Sequence, residues 1–539
     1  KKEKIKEKMH NKKVSILFIF FILCWKVDAQ NFNITNERTF SNLFNQHIDT
    51  TENFHTSIRP FSKNEITRYD ALMSELDLKS ASKFVSFMCN YDSLPALKSN
   101  TLRMELLPVY NTEFAIEKGN SFTNNLHELS FGLNLNVAIG KKWSSQFLFL
   151  FDNSEHPSHI DDIVQSKNIS PGYGYSKNGN STYGQGNITF TADKNFTFQL
   201  GYGKNFIGDG YRSLFLSDNA NSYPYLKVTA NIWKIKYMAL YTNYQDIRGS
   251  EGKYKDYFQK LSTMHYLSLN ITKWWNFGFF ESIIWQSQED QFYRGYDINY
   301  MNPVIFLRPV EYSQGSSDNA LLGGSMKFKI KKKNILYSQL ILDEFLLKEL
   351  KAGNGWWGNK YGIQVGFKSY DFLWIKNLSL QLEYNVVRPF TYSYYYQPTS
   401  ISTLQNYAHF NAPLAHPLGA NFKEITAGLT YHKKRWIFEG LSTFAKIGLD
   451  TNSSISIGQD IYKPYNTREN EYGYVTTNGL TTDIINTTLK ISYVINPKSQ
   501  FIFQLGVTNR MYKNSIENSS NNLFFIGLKT AIINRYSDI

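Results

Sequence analysis

Cysteine is nearly missing from this chain: Cys24 and Cys89 are the two among 539 residues, so a disulfide framework cannot hold it together. Long apolar runs are missing as well. Beyond Trp25 no stretch is apolar enough to span a bilayer as a helix, and mean hydropathy is -0.39, which excludes a helical membrane protein. Neither G-x-S-x-G nor H-E-x-x-H occurs, which removes the commonest hydrolase signatures and leaves His409 and His416, near Asn411, as the conceivable general bases of an enzymatic reading. The chain is therefore read as a non-enzyme without cofactor. Charge of either sign is modest. The formal net charge is +13, of which the first 29 residues, with eight Lys and three acids, supply +5, leaving +8 dispersed along the remainder. No basic stripe speaks for nucleic acid; acidic glycans or lipopolysaccharide phosphates suit the excess.

What the chain has is aromatic side chains, 16% of all residues, set in alternation. Phe131, Leu133, Leu135, Val137 and Ile139 alternate with Gly132, Asn134, Asn136, Ala138 and Gly140. Leu378, Leu380, Leu382 and Tyr384 repeat the pattern against Ser379, Gln381, Glu383 and Asn385, as do Leu267, Leu269 and Ile271 against Tyr266, Ser268, Asn270 and Thr272. Only every second residue of a barrel strand meets lipid, so a polar chain can still cross a membrane this way. Short and long connections also alternate. The short ones fall near residues 140–142, 193–195, 233–234, 273–274, 332–334, 371–376, 433–434 and 496–498. Long polar loops are expected near 153–181, 208–222, 247–260, 287–318, 349–359, 390–421 and 449–480, with smaller ones near 118–126 and 512–521. This predicts an all-β antiparallel transmembrane barrel of about 18 strands over 101–539, with both termini periplasmic. Trp143, Trp233, Trp274, Trp275, Trp374 and Trp436 lie beside the short turns, as an inner aromatic girdle would.

The N-terminus reads as a signal peptide, 1–29. Lys12 and Lys13 lead into the apolar run Val14 to Trp25, cleavage is expected after Ala29, and Met9 is the expected start. Phe21-Ile22-Leu23 before Cys24 lacks the small residues of a lipidation box. After cleavage Cys89 remains, read as a small buried apolar residue. Residues 30–100 form an expected periplasmic helical segment, in which Lys63 to Met73 has helical spacing behind a possible N-cap at Ser62.

Several segments near the long loops carry a family likeness: Gly208-Asp209-Gly210-Tyr211-Arg212-Ser213, Tyr296-Asp297-Ile298-Asn299-Tyr300-Met301-Asn302-Pro303, Leu342-Asp343-Glu344-Phe345, Glu383-Tyr384-Asn385 with Arg388-Pro389-Phe390-Thr391-Tyr392, and His409-Phe410-Asn411 with Leu414-Ala415-His416-Pro417-Leu418-Gly419. In order and spacing they resemble the Wzi-like capsule-assembly outer-membrane proteins, most closely the RemB-like gliding-motility branch. The resemblance covers essentially the whole mature chain. It implies an 18-stranded barrel with an N-terminal helical segment at its periplasmic end, holding surface polysaccharide or supporting cell-surface movement. It implies no cofactor and no catalytic residue. One departure is the end of the chain, where Asn534 to Ile539 follow the expected closing strand Leu523 to Ile533.

Glycans present flat apolar faces and many hydroxyls, so a binding surface needs aromatic platforms beside bidentate polar groups. The candidates are Asp209, Arg212, Tyr296, Asp297, Glu311, Trp356, Trp357, Arg388, Tyr392, His409 and His416. The plainer account of each is an outer aromatic girdle or a structural ion pair. Asp343 and Glu383 should point inward and form a lumen network with Arg308 or Arg388. His156 and His159, beside Asp161 and Asp162, have metal-like spacing in a flexible polar loop, and no metal is assigned. The expected partners are surface polysaccharide or lipopolysaccharide, outer-membrane lipid, and motility or secretion proteins. A glycan-holding barrel, an accessory subunit of a motility or secretion complex, and a passive porin are the competing functions.

Overall fold

The computed structural model describes residues 32–50, 55–66, 69, 102–288, 293–304, 318–395 and 404–539. The expected leader, Cys89 and most of the 30–100 segment lie outside them. Eighteen antiparallel strands close into one barrel. In chain order they are β1 Leu102–Lys118, β2 Thr123–Ile139, β3 Trp143–Ser154, β4 Asn180–Thr191, β5 Phe196–Gly203, β6 Tyr223–Ile232, β7 Ile235–Asp246, β8 Phe258–Asn270, β9 Trp275–Gln286, β10 Asn319–Ile330, β11 Asn334–Glu344, β12 Lys360–Tyr370, β13 Leu378–Val387, β14 Phe422–Lys433, β15 Trp436–Leu449, β16 Leu480–Asn496, β17 Phe501–Lys513 and β18 Asn518–Thr530. Each strand pairs with its sequence neighbour, and β1 closes on β18 through the register Asn111 opposite Lys529 to Lys118 opposite Asn522. No edge strand remains open.

Alternation decides the faces. Phe131, Leu133, Phe147, Phe149, Leu382 and Tyr384 are exposed on the outer wall, where lipid would cover them. The short turns sit at one end with both ends of the barrel chain, and the nine long or outer loops sit at the other. By the rule that the termini of such barrels are periplasmic, the turn end is the inner end.

Polar alternation does not describe the whole interior. Inward side chains of β7 to β11, including Met238, Leu240, Met264, Phe280, Ile284, Leu321 and Ile341, build an apolar core inside the lumen. The loop between β5 and β6, residues 204–222, folds inward and supplies Leu214, Phe215 and Leu216, all fully buried; the Phe215 and Phe280 rings stack at 4.7 Å. A two-residue ladder pairs Ile58 and Arg59 with Ile207 and Phe206, tying the N-terminal segment to that loop.

The helix α1, Arg38–Thr50, lies inside the inner end. Its Phe40, Phe44 and Ile48, spaced four apart, pack with Phe61, Ile437, Val494, Ile502 and Ala531, each such burial stabilising by roughly 1.5–3 kcal/mol. Glu37 caps it by accepting the Phe40 N–H at 2.9 Å. On the lumen side Asp49 pairs with Lys368 at 3.1 Å. Of the helix expected over Lys63 to Met73, the start is a single 3-10 turn, Lys63–Glu65, behind Ser62, with Ile66 extended; Tyr69 is helical, and the rest of that span lies outside the described residues. Glu65 accepts the Ser62 N–H with one carboxylate oxygen and pairs with Lys236 of the wall through the other.

The end of the chain also departs from expectation. The closing strand ends at Thr530, and residues 531–539 turn back into the lumen instead of lying at the rim. Tyr536 is buried there, whereas Phe524 is exposed on the wall.

Candidate functional site

Five of the eleven candidate residues lie buried in the interior. The inward loop places Arg212 fully buried, its Nη2 donating to Glu424 Oε1 at 3.0 Å and to Asp538 Oδ2 at 3.1 Å. Glu383 accepts the backbone N–H groups of Tyr211 and Arg212, at 2.7 and 3.0 Å, and the Tyr337 hydroxyl at 2.8 Å. Asp209 accepts from Ser57 and Thr56 and faces Lys327 at 3.6 Å. Burial opposes its charge, but Lys327, Lys368 and those hydroxyls hold its carboxyl down to about 2. Asp343 pairs with Lys360 at 3.2 Å and accepts the Tyr392 N–H at 2.8 Å. The lumen acids thus find Lys360 and backbone amides, where Arg388 or Arg308 was expected; Arg308 and Glu311 lie outside the described residues. Tyr392 is buried, donating to Leu214 O at 2.8 Å and stacked on Tyr407.

The two histidines are equally enclosed. His416 donates from Nε2 to Glu424 at 2.8 Å and accepts the Leu418 N–H at Nδ1. His409 donates from Nε2 to Ser222 O at 3.1 Å and accepts the Gln245 N–H at 2.9 Å. Each is satisfied as a neutral ring, and burial pushes His409 down to about 3. A neutral buried histidine binds fewer protons than its unfolded counterpart, so stability is fullest above about 6.5 and declines as pH falls toward 3. His159, also held to about 3 by burial, adds in the same direction. We expect the heat-modifiability midpoint of the folded barrel to fall steadily between pH 6.5 and 4, and His409→Gln to flatten that slope; equal slopes in both proteins would refute the assignment.

His156 and His159 border the short helix Ser158–Lys167, with His159 donating to Ser537 O at 3.0 Å and His156 near Ser170 at 3.4 Å. They use protein partners rather than converge on a common point.

The remaining candidates lie outward. Trp356 and Trp357, in the loop between β11 and β12, are partly exposed with ring centroids 5.9 Å apart. Tyr465, from the loop between β15 and β16, packs on Trp357 at 4.7 Å, and Tyr395 stands 6.0 Å from Tyr465. The Trp357 indole N–H donates to Glu471 at 2.7 Å while Arg468 lies over its ring at 3.8 Å. Arg388 works from beneath, donating to the carbonyls of Asn359 at 2.9 Å and of Trp356 and Tyr474 at 3.3 Å, so it joins the three loops. Tyr395 belongs to the run Tyr392 to Tyr396 that the sequence had offered beside Arg388, whereas Tyr465, Arg468 and Glu471 were missed because they come from a loop that only the barrel brings to the tryptophans. Tyr296 and Asp297 occupy a separate loop, where Tyr296 donates to Thr242 O at 2.7 Å and Asp297 caps Asn299 and pairs with Arg294 at 2.9 Å.

A closed 18-stranded antiparallel wall, aromatic at its ends and filled by its own chain, defines an outer-membrane β-barrel. No family model and no curated protein matches the sequence. Among solved structures, the chain is similar to Wzi of Escherichia coli, described as an outer membrane protein involved in group 1 capsule assembly and a carbohydrate-binding β-barrel. The TM-score is 0.54 at 12% identity, over 92% of this chain and 98% of that one. Two Pseudomonas aeruginosa proteins also align: OpdQ (TM-score 0.41, 8% identity, 79% of this chain and 97% of that one) and OpdK with vanillate (0.42, 10%, 78% and 97%). At such identity the likeness to Wzi is one of fold. It supports the Wzi-like architecture and gives no support to a closer tie with the gliding-motility branch.

Proposed function

We propose that this barrel is a non-enzymatic outer-membrane protein that holds surface polysaccharide on the aromatic surface of Trp356, Trp357, Tyr395 and Tyr465. One observation carries the reading: the interior candidates are saturated by protein partners, whereas this cluster leaves partly exposed rings beside charged groups at the outer end. Flat rings meet the apolar faces of sugars, and the Arg468–Glu471 ion pair beside them keeps donors and an acceptor edge for hydroxyls. The capsule-assembly role of the structurally similar barrel agrees with this use. Export through the leader 1–29, with residues 30–100 at the periplasmic end, belongs to the same proposal.

The test is retention of the cell's own purified surface polysaccharide by the barrel in detergent. Trp356→Ala with Trp357→Ala should weaken it about tenfold or more, ~1.4 kcal/mol, while Tyr254→Ala in a separate outer loop leaves it unchanged. Equal binding by both variants removes the proposal. Gliding support would follow from such anchoring. Fixed protein partners that co-purify with a barrel lacking glycan would replace it by the accessory-subunit reading.

A further inference from the structure

The dispersed charge of the sequence is sorted by the fold. The eight inner turns contain eleven lysines and Arg435 against Asp193 and Asp371, a net +10, and every one of them carries a lysine. The nine outer loops hold fourteen basic and eighteen acidic residues, a net -4. Opposite ends of one barrel therefore present opposite fields.

The basic end is interleaved with tryptophan. Lys142 precedes Trp143, Trp233 precedes Lys234, Lys273 precedes Trp274, Trp374 lies two residues before Lys376, and Trp436 follows Lys434 and Arg435. All five tryptophans are exposed, Trp374 at 95% and Trp233 at 82%, far beyond what packing would leave. Lys234 Nζ stands 5.1 Å from the Trp233 ring.

We propose that the inner rim binds the phosphates of anionic phospholipids in the inner leaflet of the outer membrane. Tryptophan sets the depth, since its ring prefers the boundary between acyl chain and headgroup. The lysines beside them in the turns then reach the headgroup plane. That position favours a lipid phosphate over a soluble polyanion, which would meet the end of the barrel face on. The barrel is thereby held in one orientation and at one depth.

The experiment reconstitutes the full chain into vesicles of phosphatidylethanolamine with phosphatidylglycerol, excises it with its surrounding lipid by copolymer, and measures the lipid ratio in the particles. Wild type should enrich phosphatidylglycerol at least about threefold over the bulk, and 0.5 M salt, as an approximate screening level, should abolish the excess. A variant carrying Lys331→Gln, Lys332→Gln, Lys333→Gln, Lys433→Gln and Lys434→Gln should lose the enrichment, and lysine-to-arginine changes at the same positions should keep it. Heat-modifiable migration on gels shows which variants are folded. No enrichment in wild type, or enrichment untouched in the folded glutamine variant, overturns the proposal. So does lysine-dependent capture of soluble peptidoglycan fragments without lipid enrichment, which would assign the rim to a polymer.

Discussion

Arg212→Met is expected to destabilise the folded barrel by about 3–5 kcal/mol, read as a lowered urea or thermal midpoint in detergent. The guanidinium is completely enclosed, and its removal leaves two carboxylates, Glu424 and Asp538, at 1% and 6% side-chain exposure, with only the neutral donors His416, Asn385 and Tyr211. An unpaired buried charge costs far more than the ion pair itself contributes, because desolvation is no longer offset by attraction. The sign of the compensating experiment follows. Adding Glu424→Gln and Asp538→Asn to Arg212→Met should recover most of the loss, since polar neutral groups of similar shape replace the whole network. Arg212→Lys should recover little, because one ammonium cannot serve Glu424 and Asp538 with the same fork of donors. A barrel indifferent to Arg212→Met would show that water reaches this site.

Deletion of residues 531–539 is expected to convert a silent barrel into a conducting one in planar bilayers. Two of the lumen's cavities border the tail. One, of about 370 Å³, runs from α1 and Tyr370 near the inner end to the outer loop residues Pro157 and Ile160; the other, of about 220 Å³, reaches the inner turn at Lys498 and Gln500. Ile533 and Asn534 line both, so removing the tail would join the two spaces. It is fixed by polar contacts at every step. Arg535 pairs with Glu128 at 3.0 Å and lies over Tyr173 at 4.1 Å, the Tyr536 hydroxyl donates to Asp218 at 2.7 Å, and Asp538 meets Arg212. Barrels of this strand number leave an aqueous channel unless something fills them. Arg535→Gln with Asp538→Asn should give intermittent openings, and the deletion steady conductance. A folded deletion variant that stays silent would assign closure to α1 and the inward loop alone.

The wall was largely legible in the sequence. Period-two alternation, and short turns alternating with long loops, gave the all-β class, the strand number and nearly every connection within a few residues. These signals are local: a strand facing lipid on one side cannot hide its pattern. The first helix was legible in principle, since Phe40, Phe44 and Ile48 recur at helical spacing. Its signal was obscured because Asn, Gln and Thr cover its other face, as suits a helix inside a polar lumen, and because Glu37 is an unusual cap.

The candidate site was less legible. Asp209, Arg212, Tyr392, His409 and His416 looked suited to sugar binding by residue type, yet the fold encloses them with protein partners. Conversely, Tyr465 and Arg468 gave no sign of belonging beside Trp357, more than a hundred residues away. Charge followed the same rule. The lysines appeared dispersed along the chain because inner turns recur at every second connection, and only closure of the barrel gathered them on one rim.

By itself, then, the sequence determined that this chain is a barrel, how many strands it has and which residues face outward, because alternation and turn chemistry act between near neighbours. The tertiary structure alone decided what fills the lumen and where its charges meet. Those contacts join residues such as Arg212 and Asp538 across hundreds of positions, and pairing at that range leaves no local pattern to read.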